Sequence, residues 1–555
     1  MARRLSIFHP PGRIGLGLNR FGKDVANLEL YRALVQHGGF DRVDVLAMTP
    51  GTDKELVADL LEGQPCTTSL HSSSILNQRV AVEAGALLRG QPDLYELAWL
   101  RRRLASDRAF SLLGLVHTLA PPAIRHTIAM ATSGPTHPWD AIICTSPSVR
   151  NAVTELYGAW GAHLAERTGG APPPRPMLPV VPLGVDGPAF AAKADRHDAR
   201  ARMRASLGCA ADDILVIWVG RLSFFEKAYP QPMFRAAQEA ARATGAKVHF
   251  ALAGWFPNPP EREYYEAAQA AHAPDVVTHY LDGNDQTAVG ELWAAGDIFM
   301  SLVDNIQETF GITPIEAMAA GLPVVVSDWD GYRSTVRHGQ DGFLIPTLGA
   351  PPGGLGANMA VRHVMEMESY QAYVGNLAQH TAVDVGAAAD AITALIRSPD
   401  LRRTMGQSGR RRIAEAFDWP VIARQYHALV DELAAIRGVS VDPPTVAKLN
   451  PAKGDPFVDF KGFASRTLTL DLMLRVRNGQ TAEHVLATRK IRLDAAFPAW
   501  RATLEESARA VTIVGEAGAL PLRDLLMSYP VERRRAVELG VMWLAKQGFL
   551  AWGDA

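Results

Sequence analysis

The chain has 555 residues, 48% hydrophobic and 21% charged, with a net charge of −2. That length suits about three or four domains, and the charge balance excludes a global drive toward nucleic acid or an anionic membrane. Cys66, Cys144 and Cys209 are widely spaced and lack metal-ligand spacing, which fits a reducing cytoplasm.

Met1-Ala2-Arg3-Arg4 leads straight into a strand-like run at 5–9, so no signal peptide is expected, and without a run of about twenty apolar residues no membrane span is expected either. From 1 to 190, strand-like runs at 43–48 and 141–146 alternate with helical ones such as 25–36. Residues 10–23 form a glycine-rich loop opening a helix, without the spacing of a dinucleotide fingerprint; Gly22 is singled out there. Residues 94–104 read as a basic amphipathic helix, either a solvated basic end or a membrane-surface contact. His117 follows the apolar run 112–116 and reads as a structural histidine or a site residue. A Pro/Gly-rich stretch at 169–176 precedes the turn at 180–186.

A second alternating region spans 191–415, with strands predicted at 214–220, 248–254, 276–280, 298–303 and 324–327. Alternating βα units predict parallel sheets, hence an α/β class. Gly220-Arg221 ends the first of these strands and Glu226-Lys227 follows in the loop. The Arg fork and the Lys point charge both suit diphosphate oxygens, although such pairs are commonly solvated surface. After the strand at 298–303 come Glu308 and Glu316, flanking Phe310-Gly311-Ile312-Thr313. Gly311 permits close backbone approach, and the helix start offers N–H groups to phosphate. Thr313-Pro314-Ile315-Glu316 reads as a capping box, so Glu316 serves the helix start alone or a ligand as well. An amphipathic helix is predicted within 416–437, a linker at 438–456, and a mixed module over 457–555. In that module 467–474 alternates like a strand, and helix–turn–helix–strand follows over 522–552, the order of a winged-helix unit or of a generic capping or dimerisation domain.

The stretch 305–323 resembles the E-x7-E signature of retaining glycosyltransferases of family 4, and the resemblance covers about 5 to 437. It implies the GT-B fold: an acceptor-side Rossmann-like domain (1–190), a nucleotide-sugar domain (191–415), and a helix (416–437) crossing back to the first. It further implies a cytoplasmic hexosyltransferase moving a sugar from a UDP- or GDP-sugar to a glycan, lipid-linked or protein acceptor, with retention, no cofactor and no metal. Arg221 and Lys227 would meet the diphosphate, Glu308 the transferred sugar, Glu316 the ribose, and His117 the sugar's neighbourhood. Gly22, Gly220, Phe310, Gly311, Ile312 and Thr313 would line the sugar-donor site. The sequence departs from the family in three places. Phe224 and Phe225 both separate the cations, 301–307 is longer than usual, and Asp328-Trp329-Asp330-Gly331-Tyr332 replaces a Gly-Gly turn. A sugar-nucleotide epimerase of the same fold, or an inactive scaffold acting through its C-terminal module, are the alternatives. Peripheral membrane contact and a protein partner for that module stay open; nucleic acid is not an expected partner, Arg533-Arg534-Arg535 being only a slight pointer to an anion.

Overall fold

A computed structural model describes residues 3–14, 22–441 and 447–553. It divides into two compact units, Met1–Lys448 and Leu449–Ala555.

The first unit holds two six-stranded parallel sheets. One contains β1 (Arg4–Phe8), β2 (Arg42–Ala47), β3 (Ser69–Ser74), β4 (Ala86–Arg89), β5 (Ser111–Leu115) and β6 (Ala141–Ile143) in the order β3-β2-β1-β4-β5-β6. The other contains β7 (Ile214–Val219), β8 (Val248–Gly254), β9 (Val277–Asp282), β10 (Ile298–Ser301), β11 (Val324–Ser327) and β12 (Gly342–Ile345) in the order β12-β11-β10-β7-β8-β9. Both are the same doubly wound arrangement, and each reverses direction once, between β1 and β4 and between β7 and β10. Crevices at the carboxyl ends of such strands, at the reversal, are where these sheets take ligands. The fold is α/β with two Rossmann-like domains, the GT-B architecture.

Strand composition explains the layering. β7 (Ile-Leu-Val-Ile-Trp-Val) and β11 (Val-Val-Val-Ser) are apolar on both faces, as strands covered by helices on both sides must be. The helix Pro230–Thr244 covers one face through Met233, Phe234 and Ala237, all buried. The helix Trp419–Val439 returns to the first sheet. Its His427 ring stacks on Phe40 and lies 2.6 Å from the Gly38 carbonyl through Nδ1, and Arg437 donates to the Gly85 carbonyl at 2.7 Å.

The helix Tyr95–Leu104 corrects the reading of a basic amphipathic surface. Arg101 is wholly buried in a bidentate pair with Asp140 (2.6 and 2.9 Å), and Arg102 is tied to Asp107. Two of its three arginines are internal ties rather than a face for a membrane. No helix among the described residues is long and apolar enough to cross a membrane.

The second unit is a small α/β module with an antiparallel sheet in which Met473–Val476 lies between Leu520–Pro521 and Leu550–Gly553. The helices Leu504–Ala517 and Arg534–Lys546 pack on it through Val511, Val514, Val541 and Leu544. The strand expected over 467–474 is confined to its last two positions and continues to Val476. The Leu470 and Leu472 carbonyls accept from Arg523 and Leu522 instead, which caps the helix Leu522–Met527 rather than extending the ladder. The three consecutive arginines are also engaged: Arg533 with Glu506, Arg534 with the Tyr529 carbonyl, and Arg535 with Glu538.

Candidate functional site

The loops after β7 and β10, the two strands at the reversal of the second sheet, bring the charged residues together. Gly220 directly follows β7 at φ 153°, and Arg221 comes next. The Arg221 guanidinium pairs with Glu226 and lies 5.7 Å from the Trp255 ring centroid. Glu226 is a counter-charge the motif reading did not assign a role; only its sequence proximity to Lys227 hinted at it. Lys227 sits at the end of a tight turn, its N–H donating to the Ser223 carbonyl at 2.9 Å. Its Nζ reaches Glu308 Oε2 at 3.2 Å. The extra residue between the cations is absorbed by that turn, with Phe225 anchored through its carbonyl to the Asn305 amide.

Glu308 is held from both sides. Its Oε1 accepts from the Gly311 and Thr309 backbone N–H groups at 3.1 and 3.3 Å, while Oε2 faces Lys227. Burial pushes its pKa up, but Lys227, helped by the Phe310 and Thr309 backbone N–H groups, outweighs it and holds the carboxylate below its ordinary range.

The helix behind it begins differently from the capping box read in the sequence. Gly311 is the N-cap, at φ 84°, and the helix runs Ile312–Ala320, so Thr313 lies in the first turn and caps nothing. The cause is packing. A Cβ on Gly311 would stand 1.8 Å from the Tyr332 ring, and only glycine fits that left-handed position. Tyr332 is itself fixed, its hydroxyl 3.1 Å from Ser301 Oγ. Glu316 thus sits two positions further into the helix than a capping box would put it, free of capping duty. It is half-buried, and burial lifts its pKa to about 7 against the pull of Lys193. The Phe310 ring is buried against Phe417, and the Gly311 N–H is already spent on Glu308.

His117 belongs to the other sheet, after β5. Its Nε2 donates to Asn27 Oδ1 at 2.9 Å, and Asn27 in turn donates to the Gly90 carbonyl. Burial lowers its pKa to about 4, leaving a neutral imidazole. Thr309 Oγ donates to the His117 carbonyl at 2.7 Å, so the loop carrying Glu308 is stitched to the first domain beside His117. Gly22 opens the helix Gly22–His37 and is exposed. The loop residues 15–21 before it lie outside the described residues.

A buried and a half-buried carboxyl lie close by. Asp304 ends the run from β10; its Oδ2 accepts from the Tyr229 N–H at 3.3 Å, its Oδ1 is buried, and burial raises its pKa to about 8. Asp330, in the stretch that replaces the Gly-Gly turn, has φ 38° and accepts from Ser146 Oγ at 3.0 Å; burial raises its pKa to about 7. Asp330, Thr309 and Trp329 face Ser148, Val149 and Leu119 of the first domain across a cleft of about 610 Å³. Chemically, the site offers two cations at the end of β7, a fixed carboxylate between them and a second domain, and an adjoining cavity of small-ligand size.

Residues 199–348 match the family model described as glycosyl transferases group 1. Among curated proteins, the chain is similar to phosphatidyl-myo-inositol mannosyltransferase of Mycobacterium leprae (32% identity, covering 23% of this chain and 24% of that one). It is also similar to D-inositol 3-phosphate glycosyltransferase of Rhodococcus erythropolis (28%; 50% and 63%) and alpha-maltose-1-phosphate synthase of Mycolicibacterium smegmatis (26%; 52% and 61%). The chain thus spans less than two thirds of the length of each of these relatives. Among solved structures, Anabaena HepE in complex with UDP and glucose aligns over 78% of this chain and 100% of its own, at 15% identity and a TM-score of 0.49. Sucrose-phosphate synthase from Thermosynechococcus elongatus aligns over 78% and 100%, at 18% identity and a TM-score of 0.47.

Proposed function

We propose, for a chain whose residues 199–348 form a group 1 glycosyl transferase domain, that it transfers a hexose from a nucleotide-sugar to an acceptor hydroxyl with retention of configuration. The observation that carries this reading is the cation pair Arg221 and Lys227 at the end of β7, with Lys227 locked to Glu308 at the end of β10.

A nucleoside-diphosphate leaving group gains negative charge as its bond to the sugar breaks. Arg221 and Lys227 are placed to meet that charge, exchanging their contacts with Glu226 and Glu308 for phosphate oxygens. Fixed cations in a partly dry cleft stabilise such charge without a metal ion. Glu308, its Oε1 pinned by backbone N–H groups, keeps an oxygen for hydroxyls of the transferred sugar. Glu316 presents two oxygens to the vicinal hydroxyls of the ribose. His117, neutral, donates or accepts a hydrogen bond near the reacting carbon without adding charge. The cleft beside Thr309 and Asp330 takes the acceptor, a glycan, lipid-linked or protein hydroxyl. Relatives named as a D-inositol 3-phosphate glycosyltransferase and an alpha-maltose-1-phosphate synthase support sugar transfer.

A thermal-shift screen against UDP-, GDP- and ADP-sugars tests the reading. One sugar nucleotide should raise the melting temperature, since a ligand that binds the folded state stabilises it by mass action. Its turnover should persist in EDTA. Interconversion of free sugar nucleotides without acceptor would point to an epimerase instead.

A further inference from the structure

The amino-terminal end of the second sheet, opposite the cation pair, carries a cluster that the transfer reaction does not use. Cys209 lies in the loop before β7, Asp213 immediately precedes β7, and His249 is the second residue of β8. All three are buried, and their ligand atoms lie within 4.8 Å of one another. Asp213 Oδ2 is 3.1 Å from His249 Nε2, and His249 Nδ1 is 3.0 Å from Nε2 of His279 on β9, the two rings being stacked.

We propose that Cys209, Asp213 and His249 form a zinc-type divalent cation site, with His279 orienting His249 from behind. Thiolate, carboxylate and imidazole together suit Zn²⁺. Its bonds of about 2.0–2.3 Å place tetrahedral ligands roughly 3.3–3.8 Å apart, so the cluster has only to contract slightly. The His249–His279 contact is the kind of outer hydrogen bond that fixes a metal-ligating imidazole. On binding, the Cys209 thiol loses its proton to solvent as the S–Zn bond forms. The His249 proton sits on Nδ1, donated to His279. Lys247, which is 54% exposed and 3.2 Å from Asp213 Oδ2, swings out, while Arg204 keeps its partner Asp297. A water completes the shell. With three ligands drawn from the starts of two strands and a loop, the site ties the α/β layers together far from the chemistry.

The test is calorimetric titration of Zn²⁺ into untagged full-length protein stripped with a chelator. One equivalent should bind per chain, Cys209→Ser and His249→Ala should each abolish it, and His279→Phe should weaken it by about 10- to 100-fold. Saturable binding that survives both ligand replacements, or none in the parent protein, overturns the proposal. Should the ligand variants fail to fold, the Co²⁺-loaded Cys66→Ser protein decides: a thiolate-to-cobalt absorption supports the site and its absence refutes it.

Discussion

Lys227 Nζ and Glu308 Oε2, 81 residues apart in sequence, meet at 3.2 Å across the point where the second sheet reverses. The contact joins the loops after β7 and β10, so each residue's position depends on the other's strand. Replacing Lys227 by Ala should therefore act on turnover more than on folding. The expected loss is about 3 kcal/mol of transition-state stabilisation, roughly a hundredfold in kcat, read by steady-state kinetics with the sugar nucleotide found in the screen.

Gly311→Ala should be poorly tolerated. Its φ of 84° and the 1.8 Å approach of a Cβ to the Tyr332 ring leave no relaxed alternative. Strain alone costs about 1–3 kcal/mol, and the Tyr332→Ala background should return part of it. Urea denaturation of the single and double variants measures the coupling.

Asp304 gives a pH prediction with a definite sign. Burial raises its folded pKa from 3.8 to about 8, so the folded chain holds a proton that the unfolded chain has lost. Its effect is absent below about pH 4, grows as a loss of stability while pH rises toward 8, and is flat above that. Asp304→Asn should remove this slope, and melting curves from pH 5 to 9 on both proteins will show it.

The Arg101–Asp140 pair should behave as a structural tie. Both side chains are fully buried, so Arg101→Ala strands a carboxylate in the core and should cost about 3–5 kcal/mol. Arg103→Ala, on the same helix but exposed, is the control and should leave the melting temperature nearly unchanged.

What the sequence made legible follows from where side chains meet backbone. Arg221, Lys227 and Glu308 could be read because each follows a strongly apolar strand, and strand ends in a doubly wound sheet converge. Thr313 and Glu316 misled because a capping box is a local pattern, whereas the helix start is set by Tyr332, a distant ring that only Gly311 accommodates. The basic run at 101–103 misled likewise: Asp140 and Asp107, on other segments, draw two arginines inward. The partnership of Cys209, Asp213 and His249 had no sequence signal, since its spacing follows strand order and not a motif.

The most direct test of the sugar-transfer site is calorimetry on Glu308→Gln and Glu316→Gln with the free nucleoside diphosphate and with the intact sugar nucleotide. Glu308→Gln should bind the diphosphate almost as the parent protein does while losing affinity for the sugar nucleotide and turnover. Glu316→Gln should weaken both ligands. If both variants bind and turn over like the parent protein, the two glutamates serve only the fold and the site lies elsewhere.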